Sequence, residues 1–161
     1  MIKRIIKNSI LADYSRKKVI VLLGARQVGK TTLLSELQEG KEKVLFLNCD
    51  NIDDTLALEG KTTTELKQLI APYDIVFIDE AQRVKNIGLT LKIIGDLKLE
   101  THVVVTGSSS LDMANEINEP ATGRLIEHNL FPFSLPELAM DSSEREENRL
   151  LEHRMIYGLY P

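Results

Sequence analysis

Four short stretches of the chain, 19–23, 44–47, 75–78 and 103–105, are apolar at every position. A strand with one face in water alternates apolar and polar residues, so unbroken apolarity predicts strands buried on both faces, as in a parallel sheet covered by helices. The gaps between these stretches show the helical period instead. Helices are predicted over about 30–38, 64–70 and 84–97, the last carrying Ile87, Leu91 and Ile94 at i, i+4 and i+7. A fifth strand is predicted over 126–131. Strand and helix alternate, which makes the class α/β, with three layers built on a mainly parallel sheet.

The two ends have patterns of their own. Ile2, Ile5, Ile6 and Ile10 recur at helical spacing with Lys3, Arg4 and Lys7 between them. They predict a short amphipathic lead-in helix whose basic residues form a solvated face or, alternatively, touch nucleic acid. Past the fifth strand, Ser134 and Glu137 have capping-box spacing, Pro136 suits a first helical turn, and Phe133 and Leu138 stand where a hydrophobic staple would. A further capped helix is predicted within 141–161, ending in the turn residues Gly158 and Pro161.

Composition narrows the class without naming a chemistry. A chain of 161 residues supports one domain with a proper core. Its 43% hydrophobic and 27% charged residues are ordinary for a globular protein. A net charge of -4 provides no basic footprint of the kind nucleic-acid binding usually needs. The single cysteine, Cys49, excludes an internal disulfide and reads as a small buried residue. The apolar runs are too short to cross a bilayer and no apolar signal segment opens the chain, so a cytoplasmic location without a membrane partner is expected. His102, His128 and His153 lack the spacing of a zinc site.

The chemistry starts at Gly24-Ala25-Arg26-Gln27-Val28-Gly29-Lys30-Thr31-Thr32, which follows the first strand and opens the first long helix. This is the GxxxxGK[ST] phosphate loop in its required context. Glycine removes the side chain and permits unusual dihedrals where backbone N–H groups must wrap a polyphosphate, and Gly24 and Gly29 are expected to supply that freedom. Lys30 would neutralise the β- and γ-phosphates, the Thr31 hydroxyl would bind Mg²⁺, and Thr32 would bond the α-phosphate, with the helix dipole assisting. The nucleotide-binding segment is therefore 24–32.

About fifty residues on, Asp79 and Glu80 end a buried strand. Asp79 would share the Mg²⁺ with Thr31, and Glu80 would polarise the attacking water. The alternative, that the two acids only cap the next helix, also fits their position. A glutamate beside the metal aspartate points to ATP hydrolysis, and no Asn-Lys-x-Asp segment for reading guanine is present. The strand over 103–105 continues into Thr106, Gly107 and Ser108. In a doubly wound sheet this strand would lie between the loop strand and the carboxylate strand, so Thr106 or Ser108 would face the γ-phosphate, or the serines would cap a helix in "SSLDMANEI". Arg124 is a candidate arginine finger or sensor, alongside Arg26, Arg83, Arg145, Arg149 and Arg154.

Taken in order, "GARQVGKTTLL", "IVFIDEAQRV", "VVVTGSSSLDM", "TGRLIEHNLFPFSLPEL" and "YGLYP" resemble the prokaryotic AAA+-like ATPases, in which such an N-terminal domain is joined to a C-terminal domain of uncharacterised function. The first two motifs are shared by many ATPases, and the "TGR" and "PFS..E" segments are more specific. The resemblance implies strand order 5-1-4-3-2, ATP and Mg²⁺ as ligands, and a catalytic or sensor role for Arg124. It also implies an organisation of lead-in helix (1–16), nucleotide-binding core (17–140) and terminal helix with the start of a linker (141–161) to a C-terminal region. No AAA+ lid with its second sensor arginine is recognisable, so weak activity is expected of the fragment alone. Three functions stay open: an ATPase with Glu80, Lys30, Thr106 and Arg124 as its catalytic set; a nucleotide-gated switch that binds a protein partner or its own C-terminal domain; and a nucleic-acid motor. Assembly as a homo-oligomer is a further open alternative.

Overall fold

The computed structural model describes residues 2–108 and 123–161. Five parallel strands, β1 (Val19–Gly24), β2 (Val44–Asn48), β3 (Ile75–Asp79), β4 (His102–Gly107) and β5 (Leu125–Leu130), form one sheet in the order β2-β3-β4-β1-β5. Read from the other edge this is 5-1-4-3-2, the order implied by the resemblance. The helices are α1 (Ile6–Asp13), α2 (Lys30–Leu37), α3 (Ile52–Leu56), α4 (Thr63–Ile70), α5 (Ile87–Asp96), α6 (Leu135–Asp141), α7 (Glu144–Arg149) and α8 (Leu151–Tyr157). None of the described helices is long and apolar enough to cross a membrane.

Each central strand feeds two cores, because successive side chains leave a strand on opposite faces. Val19, Val21, Leu23, Val76, Ile78, Val103 and Val105 pack with α4 and α5, whereas Ile20, Leu22, Ile75, Phe77 and Val104 pack with α1 and α2. At about 1.5–3 kcal/mol for each fully buried aliphatic side chain, these two layers hold the sheet in register. The register places Ile78 beside Val105 and Leu22 beside Thr106, so the carboxylate strand and the loop strand flank β4.

Several expectations change. The apolar run of 44–47 forms an edge strand, not one buried on both faces, and Phe46 is 43% exposed. The lead-in helix begins at Ile6 instead of near Ile2. Its basic residues are not one solvated face: Arg4 is buried, and Lys7 pairs with Glu36 at 3.3 Å and Glu39 at 3.4 Å. The helix predicted over 84–97 starts at Ile87, after a 3-10 turn over Ala81–Arg83. The terminal helix divides into α7 and α8 at Leu150. The helix suggested in "SSLDMANEI" lies outside the described residues. The capping box at Ser134 and Glu137 is present in full.

Candidate nucleotide site

β1 runs straight into the loop and α2 carries the chain out of it. Two loop residues have positive φ, Gln27 at 62° and Gly29 at 94°, which turn successive backbone amides around the loop. Gly29 supplies the freedom expected of it, but Gly24 does not. A Cβ on Gly24 would stand 2.6 Å from the Leu130 carbonyl oxygen, so glycine is needed there because β5 approaches too closely for any side chain. Val28 is fully buried and anchors the loop to the core.

Lys30 is 7% exposed, and its ammonium turns back into the loop and donates to the carbonyls of Gly24 at 2.8 Å and Ala25 at 3.0 Å. Among the described residues no carboxylate lies within ion-pairing distance of it. A buried cation held only by carbonyl dipoles attracts an anion strongly. Arg26, Gln27, Gly29, Lys30, Thr31 and Thr32 line a cleft of about 640 Å³, ample for a nucleotide. Asp50, Glu80, Arg83 and Pro161 complete its walls.

Asp79 stands behind those walls, 8% exposed, at the C-terminal end of β3. Its Oδ1 accepts a hydrogen bond from the Thr106 hydroxyl, and the Thr106 oxygen accepts the Glu80 N–H at 3.2 Å. Thr106 is fully buried, which shields the bond to Asp79 from water, while the bond from the Glu80 N–H is part-buried. They hold Glu80 in the left-handed region, at φ 53° and ψ 41°, a backbone costing on the order of 1 kcal/mol for a non-glycine residue. The turn throws the Glu80 side chain into the cleft, where its Oε2 accepts from the Gln82 amide. Gln82 Oε1 is buried without a partner among the described residues.

The structure thus brings 24–32, Asp79, Glu80 and Thr106 together, and Arg124 apart from them. Arg124 immediately precedes β5, beside Val19 at the opposite end of the parallel β1–β5 pair from the loop. Six residues at about 3.3 Å each separate the two ends by roughly 20 Å. There Arg124 pairs with Asp96 and packs so closely on α5 that a Cβ on Gly95 would lie 2.9 Å from the Arg124 Cβ. The arginines at the cleft are Arg26 and Arg83, and Arg83 pairs with Asp50 at 3.2 Å.

Arg4 and Asp50 lie in none of the quoted motifs, and Gln82 and Pro161 lie within "IVFIDEAQRV" and "YGLYP" without a role assigned to them there. Their signals were at best positional, Asp50 at a strand end and Gln82 two residues after Glu80. For magnesium, Thr31 and Asp79 offer the hydroxyl and carboxylate oxygens that this hard cation takes, in a site where substrate phosphates and water fill the other positions.

Known proteins place this geometry. Residues 16–139 match the AAA domain family. An uncharacterized protein of Haemophilus influenzae is 27% identical over 158 residues, spanning 88% of this chain and 39% of that protein. The chain thus covers about two-fifths of that relative's length. Among solved structures, a Signal Transduction ATPase with Numerous Domains carrying a tetratricopeptide repeat sensor, from Pyrococcus horikoshii, aligns with TM-score 0.57 at 14% identity, covering 96% of this chain and 28% of that one. PCH-2 of C. elegans aligns at TM-score 0.51 and 16% identity over 90% and 47% of the two chains. A structure of two coordinating Pif1 helicases at forked DNA gives 0.53 and 16% over 84% and 45%. These distant likenesses establish the fold, that of a P-loop NTPase. With the family matched across the loop, the carboxylate strand and β5, the chain belongs to the AAA domain family.

Proposed function

We propose that this domain binds ATP with Mg²⁺ and hydrolyses it to ADP and phosphate. The observation that carries the reading is the convergence on one cleft of the Lys30 loop and of Glu80, with Asp79 pinned directly behind by Thr106. Bound magnesium would draw charge from the β- and γ-phosphates, with Thr31 and Asp79 as its protein ligands. Lys30 exchanges its two carbonyl partners for phosphate oxygens, and Thr32 and the α2 N-terminus hold the rest of the chain. Glu80 takes a proton from water as that water attacks the γ-phosphorus, and the bond from the γ-phosphorus to the ADP oxygen breaks. Arg83 and Arg26 are the cleft's own candidates for stabilising charge on the transferring group. Arg124 retains such a role only toward a neighbouring molecule.

Coupling to a C-terminal effector region is part of the proposal, supported by the matched relative being longer than this chain. One observation favours a second reading, a slow nucleotide-dependent switch that binds a protein partner: the Glu80 carboxylate is engaged by Gln82 instead of standing free. Turnover that rises when a partner is added would support the switch. The primary test is equilibrium binding of Mg-ATP to the parent and to Lys30→Ala. Binding to the parent that Lys30→Ala loses is expected, and equal affinity of the two would sink the reading.

A further inference from the structure

Arg4 lies outside every motif, yet it is 8% exposed and bonds the backbone of the phosphate loop. Its Nη1 donates to the Val28 carbonyl at 3.0 Å, its Nη2 to the Phe131 carbonyl, and its Nε to Glu137 Oε1 at 3.2 Å. The guanidinium also lies 4.6 Å over the centre of the Phe133 ring. Glu137 is held in turn: Oε1 accepts the Ile5 N–H at 2.9 Å, and Oε2 accepts the Ser134 N–H at 2.9 Å and its hydroxyl at 3.0 Å. A guanidinium presents its donors in one rigid plane, so acceptors from the loop, the end of β5 and α6 fix its position together. The lead-in segment, the loop and α6 meet on this one side chain.

The Val28 bond has a consequence for the cradle. A trans peptide is planar, and its C=O and N–H point in opposite directions. With the Val28 oxygen pinned on Arg4, the Gly29 N–H is aimed away from Arg4, and Gly29 lines the cleft at φ 94°, a conformation glycine adopts without strain. Were this peptide to flip, a carbonyl oxygen would face the phosphates in place of a donor.

We propose that Arg4 is a positioning residue: by holding the Val28 carbonyl outward it presets the Gly29 N–H for the phosphate chain, so the cradle binds without reorganising. This rests on the nucleotide-binding reading above. Arg4 acts through the loop backbone, since its charge is already matched by Glu137.

The test uses the whole chain and Mg-ADP, titrated calorimetrically and followed at the Gly29 amide by NMR. The parent is expected to bind, with the Gly29 proton moving downfield. Arg4→Lys, which cannot reproduce the planar fork, is expected to remain folded, to bind about tenfold more weakly, and to lose that downfield movement. Glu137→Gln leaves the Val28 bond in place and is expected to bind within about twofold of the parent, although it is less stable. Parent affinity in Arg4→Lys, or an equal loss in Glu137→Gln, overturns the proposal. No binding by the parent overturns the nucleotide reading itself and this inference with it. Should Arg4→Lys fail to fold, the Arg4 Nη protons of the parent decide. Slow exchange with and without Mg-ADP supports the clamp, and faster exchange on binding overturns it.

Discussion

Thr106→Val tests whether the bridge from β4 to Asp79 and Glu80 holds the site together. Valine has nearly the shape of threonine, and position 106 is fully buried, so the swap opens no cavity and removes only the hydroxyl. Asp79 Oδ1 then loses a donor in a shielded setting, worth about 1.5–3 kcal/mol for a charged acceptor. The Glu80 N–H, which is part-buried, loses its acceptor at the lower end of the range for a buried donor, about 1 kcal/mol. The extra methyl returns about 0.8 kcal/mol, so a net loss of about 2–3 kcal/mol is expected. Urea unfolding without nucleotide reads this as a lower midpoint at unchanged slope. Thr106→Ser keeps the hydroxyl, sacrifices only a methyl, and is expected to lie well above the valine variant in stability. A valine variant within about 0.5 kcal/mol of the parent, inside the usual scatter of neutral substitutions, would refute the bridge.

Two further outcomes follow from ionisable groups. Burial alone would raise the Glu137 pKa, but the hydrogen bonds from the Ser134 and Ile5 backbones and the Arg4 charge outweigh it, leaving the folded value below 4.5. A depressed carboxylate pKa stabilises the fold above the unfolded value and loses that contribution as pH falls through the folded one. Acid unfolding of the parent below about pH 4.5 is thus expected to be steeper than that of Glu137→Gln, and parallel curves would argue against the paired carboxylate. Burial, reinforced by the carboxylates of Asp54, Asp79, Asp50 and Glu80, pushes the Cys49 thiol up to about 12. Cys49 is expected to resist thiol reagents at neutral pH until the protein unfolds, and prompt labelling of the native protein would contradict its placement.

The central strands were legible because burial on both faces leaves little room for polar residues: β1 and β3 have none until their C-terminal ends, and β4 has only the half-buried His102 before Thr106. The same pattern misjudged β2, since an edge strand and a central one are equally apolar in sequence and differ only in what lies beside them. The phosphate loop was legible as a spacing. The reason for Gly24 was not, because the Leu130 carbonyl that excludes a Cβ there comes from over a hundred residues away. Arg4 was hidden for a related cause: its surroundings in sequence are basic and amphipathic, and only the fold brings Glu137, Phe131 and Val28 to it. Arg124 shows the opposite case, a candidate by its sequence neighbourhood that the fold places away from its own cleft. A strand start and a strand end lie six residues apart in sequence but at opposite ends of the sheet, so the arginine beside β5 lies far from the phosphates.

The central claim, that the cleft hydrolyses ATP through Glu80, is tested most directly by comparing Glu80→Gln with the parent in two paired readings, Mg-ATP affinity and phosphate release. The glutamine keeps the size and hydrogen-bonding reach of the carboxylate but does not take a proton. Affinity within a fewfold of the parent, with phosphate release slowed by about 10²–10⁴-fold, is the expected result for a lost general base. Phosphate release by Glu80→Gln at the parent rate would contradict the assignment.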